Sequence, residues 1–324
     1  MHEGFRGARL TCARLRFVGG AFCALVILLS IPLASRCQVL DDLTTQGKSV
    51  LQGVDFTPEM VSAIQQKAEN GEAKAQYVLG WMYFVGHSVD KNHEEALRWM
   101  TRAASQNVKF AKTQTGLMFL ASPDVQNNYA LAREWLLKGA EQNDADAWNG
   151  LGVIYSQGLG VEVRADEAVR FFQKAVDRGF DKAQYNLGYI YATGKLLPRD
   201  MKEAARLFQL AADQDHVRAT YSLGVMYRDG EGVPQDLSKA VQLFQKAAEK
   251  YRFAPAQHNL GAMYYTGKGL PRDLISAHMW VSLAAGTGFE PSKKLLQTIG
   301  EKMSAQEVDA AKAKAEAWTK AHGS

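Results

Sequence analysis

The stretch Tyr221-Ser222-Leu223-Gly224-Val225-Met226-Tyr227-Arg228-Asp229-Gly230-Glu231-Gly232-Val233-Pro234-Gln235-Asp236 decides how this chain folds, because its pattern recurs along most of the sequence. The anchor series Gly80, Gly116, Gly152, Gly188, Gly224 and Gly261 is spaced by 36, 36, 36, 36 and 37 residues. Five residues before each anchor stands alanine: Ala75, Ala111, Ala147, Ala183, Ala219 and Ala256. One residue before stands leucine, with Thr115 the exception in the second unit. Three residues after comes an aromatic ring: Tyr83, Phe119, Tyr155, Tyr191, Tyr227 and Tyr264. Sixteen residues after, alanine returns at Ala96, Ala132, Ala168, Ala204, Ala240 and Ala277. Chance does not repeat four columns over six registers, and a period of this size marks a repeat architecture.

Each unit reads as two helices. Offsets −5, −1, 0 and +3 from the glycine fall on one stripe of a helix at 3.6 residues per turn. In the fourth unit Ala204, Phe208, Ala211 and Ala212 make a second stripe. Between the stripes lie turns such as Gly230–Asp236 and Gly267–Asp273, in which glycine frees the backbone to leave the first helix and proline delays its resumption. Asn92, Asp200, Asp236 and Asp273 then stand at N-cap positions, and the pairs Asn92/Glu95 and Asp200/Glu203 have capping-box spacing. Glycine at the anchor and alanine sixteen residues on leave room for the two helices to pass closely. One such hairpin cannot bury its apolar stripes alone, so its neighbours must stack. The fold predicted is all-α: a right-handed superhelical solenoid of six helix-turn-helix repeats with capping helices at both ends.

The ends divide the chain further. Residues 1–37 carry Arg6, Arg9, Arg14, Arg16 and Arg36 against Glu3, around an uncharged stretch over 17–35. They read as a signal peptide followed by the small residues of a cleavage site, or as a retained N-terminal membrane anchor. Either way the body is exported, periplasmic or secreted, and membrane contact comes only through an uncleaved leader. Residues 38–56 form a linker and 57–71 an N-terminal capping helix opened by Thr57-Pro58-Glu59. The repeats occupy 72–288. Capping helices follow over 289–324, the last opened by a capping box at Ser304–Glu307.

Composition excludes whole classes of function. The 324 residues hold 38 basic and 34 acidic side chains, and the excess of four lies entirely in the leader. A body without net charge is a poor phosphate-backbone binder, so nucleic acid is not an expected partner. All three cysteines, Cys12, Cys23 and Cys37, are also in the leader, which removes thiolate metal sites and a cysteine nucleophile from the body. The Gly-x-Gly pairs at 158/160, 230/232 and 267/269 lack the third glycine of a dinucleotide loop. His93-Glu94-Glu95 starts like a zinc-protease motif, but Leu97 stands where the second histidine belongs. The remaining body histidines are scattered without ligand spacing. No catalytic residue, metal or cofactor is expected.

Strings such as Ala183-Gln184-Tyr185-Asn186-Leu187-Gly188-Tyr189-Ile190-Tyr191 resemble the Sel-one-like repeat (SLR) family, a relative of the tetratricopeptide class, over roughly residues 72–288. Ala277–Ala285 with the helix after Ser304 resembles the closing segment of its bacterial members. The second unit departs most, with Thr115 for leucine and Ser122 and Asp124 for the loop glycines. The resemblance implies a non-enzymatic scaffold or adaptor, exported and engaged in envelope assembly or signalling. A cysteine-rich branch linked to penicillin binding is not matched, because the body lacks paired cysteines. By tetratricopeptide register, first helices would face a concave groove through offsets −3, +1, +4 and +5. These positions are Tyr77, Trp81 and Phe84 in unit one, and Asn149 and Gln157 in unit three. Tyr185 and Tyr189 follow in unit four, Tyr221, Arg228 and Asp229 in unit five, and His258 and Tyr265 in unit six. Tyrosine, tryptophan and arginine carry much of the energy of protein interfaces. Two readings of the rings stand open: they line a groove for a protein or peptide, or they pack between adjacent first helices. A cell-wall or polysaccharide-binding module is the alternative function, and an envelope hydrolase such as a β-lactamase the third.

Overall fold

The computed structural model describes residues 56–108, 110–122, 125 and 128–322. The leader and nearly all of the linker therefore lie outside the described residues. The chain divides into two compact units, one ending at Ala111 and the other running from Lys112. All regular structure among the described residues is helical, and the fold is an all-α solenoid.

The first unit holds α1 (Pro58–Glu69), α2 (Ala73–Val85) and α3 (His93–Ser105). Thr57 caps α1 by accepting from the Met60 N–H at 3.4 Å, and α1 packs on α2. Hairpin one is α2 and α3. Phe56, placed in the linker by sequence, is buried and meets the His87 ring edge-on at 5.6 Å.

The second unit holds hairpins two to six. They are α4 (Ala111–Leu120) with α5 (Asn128–Ala140), α6 (Ala145–Gln157) with α7 (Ala165–Asp177), α8 (Asp181–Thr193) with α9 (Met201–Asp213), α10 (Val217–Asp229) with α11 (Leu237–Tyr251), and α12 (Ala254–Thr266) with α13 (Leu274–Gly286). Two further helices, α14 (Glu290–Gly300) and α15 (Ala305–His322), close the chain. From α5 to α14 each helix packs on the next, while α15 folds back on α13. There Trp318 meets Trp280 edge-on at 5.5 Å, and Lys314 Nζ donates to Ser276 Oγ at 2.8 Å.

The close helix crossing expected at the anchor glycine is present in every hairpin, and the structure adds what stands opposite. A Cβ on Gly152 would fall 2.6 Å from the Phe172 ring, and one on Gly188 or Gly224 would fall 2.9 Å from Phe208 or Phe244. On Gly80 it would meet the Ala96 carbonyl at 3.1 Å. The alanine sixteen residues on thus lets the second backbone approach, and a large side chain at +20 lies over the glycine. The alanine columns are fully buried, and Leu79, Leu151, Leu187, Leu223 and Leu260 are at most 1 % exposed.

The turns follow the caps read from sequence. Asn92 accepts from Glu95 N–H, Asp200 from Lys202 and Glu203, Asp236 from Lys239 and Asp273 from Ser276, at 2.9–3.0 Å. The reciprocal arms of the two capping boxes are not made: Glu95 pairs with Arg98 and Glu203 with Arg206, one turn on. Ser304 and Glu307 do complete theirs, with the Ser304 N–H donating to the carboxylate at 2.8 Å and Ser304 Oγ accepting from the Glu307 N–H at 3.3 Å. Every loop but that of hairpin two, where the Asn128 N–H donates to the Val125 carbonyl, is also cinched at its base. The cap residue's N–H donates to the carbonyl of the aromatic at +3, as in Asp200 to Tyr191, Asp236 to Tyr227 and Asp273 to Tyr264 at 2.9–3.1 Å. Gly269 shows why a second loop glycine recurs. Its φ is +80°, and a Cβ there would lie 2.7 Å from the Leu237 carbonyl at the start of the preceding second helix.

Two substitutions test the crossing. Gly152→Ala should lower unfolding free energy by about 1–3 kcal/mol through overpacking, although alanine gains about 1 kcal/mol of helix propensity over glycine. Gly300→Ala, with nothing within 4 Å of the added carbon, should be neutral or stabilising. Leu187→Ala should cost about 2–5 kcal/mol. Urea denaturation followed by circular dichroism reads all three, and equal effects of the two glycine changes would refute the close-approach account.

Candidate protein-binding surface

The first helices carry the residues singled out by register, and the structure sorts them. In the first unit Tyr77 is 2 % and Trp81 7 % exposed. Both side chains are buried, so neither ring presents an exposed face. Phe84 is half-buried, edge-on to Trp81 at 5.7 Å and against the His93 ring at 5.3 Å.

In the second unit the −3 residues reach sideways to the next first helix. Asn149 Oδ1 accepts from Asn186 Nδ2 at 2.9 Å, and the Tyr221 hydroxyl accepts from Asn259 Nδ2 at 3.1 Å. Asn259 Oδ1 in turn faces Arg228 NH1 at 3.4 Å, and the Arg228 guanidinium forks onto the Asp229 carboxylate with two bonds of 2.7 Å. This pairing holds the Asp229 carboxyl below the usual carboxylate range. Gln157 is exposed at the end of α6.

Tyr185 is half-buried, with its ring stacked on His216 at 4.7 Å and tilted against Phe208 at 5.7 Å. Burial raises the pKa of its hydroxyl and lowers that of His216. Beside it, 6.4 Å between centroids, lies Tyr189, 49 % exposed. Tyr189 is the only tyrosine among the large hydrophobic residues found exposed in the described part of the chain. Tyr185, Tyr189, Tyr221, Arg228 and Asp229 thus sit on the first helices α8 and α10 of adjacent hairpins, joined on to α12 through Asn259.

The sixth hairpin uses its register residues otherwise. The His258 ring makes a 3.0 Å hydrogen bond to Ser292 Oγ and meets Phe289 edge-on at 5.6 Å. Burial lowers its pKa. Tyr265 packs with Val281 and Ile299, with the Lys302 ammonium 5.1 Å and the Arg272 guanidinium 6.0 Å from its ring. Both bind α12 to the closing helices.

Sequence reasoning missed Asn186, Asn259 and His216. The first two share offset −2, a position that points toward the neighbouring first helix. A polar residue recurring there is the signal that could have found them. Among the described residues no group of three or more His, Cys, Asp or Glu could hold a metal ion, and no helix is long and apolar enough to cross a membrane.

Hairpins stacked in sequence define the class as a helical repeat protein. The Sel1 repeat model matches residues 73–108, 110–144, 145–180, 181–216, 217–251 and 254–286, and the chain belongs to this family. Sel1 repeats build non-catalytic scaffolds for protein interaction. A solved structure of c5321, described as a protective antigen of uropathogenic Escherichia coli with an SLR fold, is 33 % identical with a TM-score of 0.65. The similarity covers 78 % of this chain and 54 % of that one. A Sel1 repeat protein from Oxalobacter formigenes has a TM-score of 0.59 at 24 % identity, over 77 % of this chain and 96 % of that one, and so shares the fold. Among curated relatives, the secretory immunoglobulin A-binding protein EsiB of Escherichia coli is 50 % identical over 40 residues, 12 % of this chain and 8 % of EsiB. A putative sel1-like repeat-containing protein of Acanthamoeba polyphaga mimivirus is 43 % identical over 47 residues, 14 % of this chain and 8 % of that protein. The chain therefore spans about half of c5321 and matches under a tenth of each curated relative.

His216 supplies a pH test. Its Nδ1 accepts from the Ala219 N–H at 3.2 Å, capping α10, and burial disfavours its charged form. A histidine whose pKa is depressed by folding contributes stability above its ordinary value of about 6.5, lost as pH falls through the folded value. Unfolding free energy should therefore drop between pH 7.5 and 5. His216→Asn keeps a capping acceptor without a titrating ring and should make that drop smaller, with the His258 and His278 rings, whose pKa values burial also lowers, contributing the remainder. Parallel curves for the two proteins would refute the assignment.

Proposed function

We propose that this protein is a non-enzymatic, exported scaffold that binds a protein or peptide partner on the first-helix surface of its second unit. The observation that carries this reading is the half-exposed Tyr189 ring beside Tyr185, with the Tyr221, Arg228 and Asp229 group on the first helix of the following hairpin. An exposed tyrosine supplies broad contact area with two torsions to immobilise, and a forked Arg–Asp pair offers directional polar contacts around it. Family membership supports the same reading, as does EsiB, a relative whose name records an antibody partner. The leader's arginines and apolar stretch motivate export, and envelope assembly or signalling is the setting proposed.

A photoreactive amino acid at position 189, expressed in the native cells, should crosslink a defined protein, whereas the same group at Arg170, exposed on the second helix α7, should not. Tyr189→Ala should then weaken binding of that purified partner by roughly 30-fold, a hot-spot loss of about 2 kcal/mol, without change in helical content. Equal crosslinking at both positions, or undiminished affinity of Tyr189→Ala, refutes the surface. Glycan-array binding with no protein partner would replace the reading by the polysaccharide one.

A further inference from the structure

The C-terminal end of the array carries a cavity that its own repeat pattern explains. In two hairpins a glutamine ending the second helix reaches back over the first. Gln106 Nε2 donates to Gln76 Oε1 at 2.8 Å and to the Gly71 carbonyl at 3.1 Å. Gln214 Nε2 donates to Gln184 Oε1 at 2.9 Å and to the Gly179 carbonyl at 2.8 Å. In the third hairpin Arg178 takes the reaching position, its guanidinium 5.8 Å from the Trp148 ring. The sixth hairpin keeps the receiving residue, Gln257, but has Thr287 where the reaching residue belongs. Thr287 is too short, and its hydroxyl donates to the Ala284 carbonyl of its own helix at 2.7 Å. Gln257 is 2 % exposed and its Oε1 has no hydrogen-bond partner.

A second departure falls at the same place. The left-handed glycine that supplies the other acceptor, Gly71 at φ 90° and Gly179 at φ 75°, is replaced by Arg252 at φ 50°. Gln257, Thr287 and Arg252 line one cavity of about 600 Å³, with Leu283 of α13 and Trp318 and Lys320 of α15. That volume is typical of ligand sites. A buried amide oxygen without a donor costs free energy, and here the missing donor has a known chemical identity elsewhere in the chain.

We propose that this cavity binds a primary carboxamide, the side chain of a glutamine in a partner peptide, in the place the Gln106 and Gln214 carboxamides take in their own hairpins. The ligand NH₂ donates to Gln257 Oε1, and the Arg252 carbonyl is the counterpart of the second acceptor. The Gln257 carboxamide turns on a soft terminal torsion, and binding requires that turn to present its recessed oxygen to the ligand. Leu283 and the Trp318 indole flank the aliphatic stem. A carboxylate in the same place has no N–H to give and sets its charge against the amide oxygen. The site uses none of the tyrosine-surface residues, so its test is independent of Tyr189.

The probe is the tripeptide Ala-Gln-Ala with acetyl and N-methylamide ends, which carries a single primary carboxamide. Titration into the full chain is followed by calorimetry and tryptophan fluorescence. The Gln peptide should bind at least tenfold more tightly than its Ala-Glu-Ala counterpart and than free L-glutamine. Thr287→Gln restores a residue that caps two other hairpins with similar backbone angles, φ −83° at Thr287 against −95° at Gln106 and Gln214. It should raise the melting temperature and weaken the Gln peptide at least tenfold by filling the site internally. Gln257→Leu should erase the preference for Gln over Glu. The proposal is overturned by equal affinity for the two peptides, by unchanged binding to Thr287→Gln, by no binding at 10-millimolar peptide, or by free glutamine binding as tightly as the peptide.

Discussion

The contact on which the structure depends is the crossing of two helices at an anchor glycine. At Gly152 the facing Phe172 ring comes so near that an added Cβ would force it to shift, and the same holds for Phe208 at Gly188 and Phe244 at Gly224. Close approach puts the alanine columns wholly out of water and brings the tyrosine at +3 over the loop base, where its carbonyl receives the next cap's N–H. Crossing, column and loop are thus one arrangement. Changing the anchor disturbs all three.

Between hairpins the joining is of another kind. Inside a hairpin the apolar columns repeat faithfully, whereas the polar groups across the seams vary in chemistry. They include the Asn149–Asn186 and Tyr221–Asn259 bonds between first helices and the Lys246 and Lys250 ion pairs to Asp215 between second ones. Such exposed ion pairs contribute little to stability individually. Directional polar seams fix the register of neighbours, and they leave the first-helix surface free to vary from unit to unit.

Residues that serve packing were legible in the sequence because packing imposes a period. The anchor glycines, the alanines and Asp200, Asp236 and Asp273 as caps all sit where the columns put them. The capping-box spacing at Asn92/Glu95 and Asp200/Glu203 does not yield the reciprocal bond, because each cap N–H donates to the Tyr83 or Tyr191 carbonyl and each glutamate pairs with an arginine one turn on. The surface was less legible. A register carried from a relative marks which direction a position faces, not whether a ring stops at solvent. Tyr77 and Trp81 share offsets with Tyr185 and Tyr189, yet they are buried while Tyr189 is half exposed. Gln257 could be noticed only once its missing partner was seen, since Thr287 is unremarkable as a letter and informative as a gap in a geometric series.

The main helix contacts among the described residues of the second unit run between sequence neighbours, with the fold-back of α15 onto α13 and a smaller contact of α12 with α14 besides. A stack linked only to its neighbours has no single mechanical keystone. Stretched along its length, it would lengthen in hairpin-sized increments, each detached piece exposing a fresh helix flank while the rest stays folded.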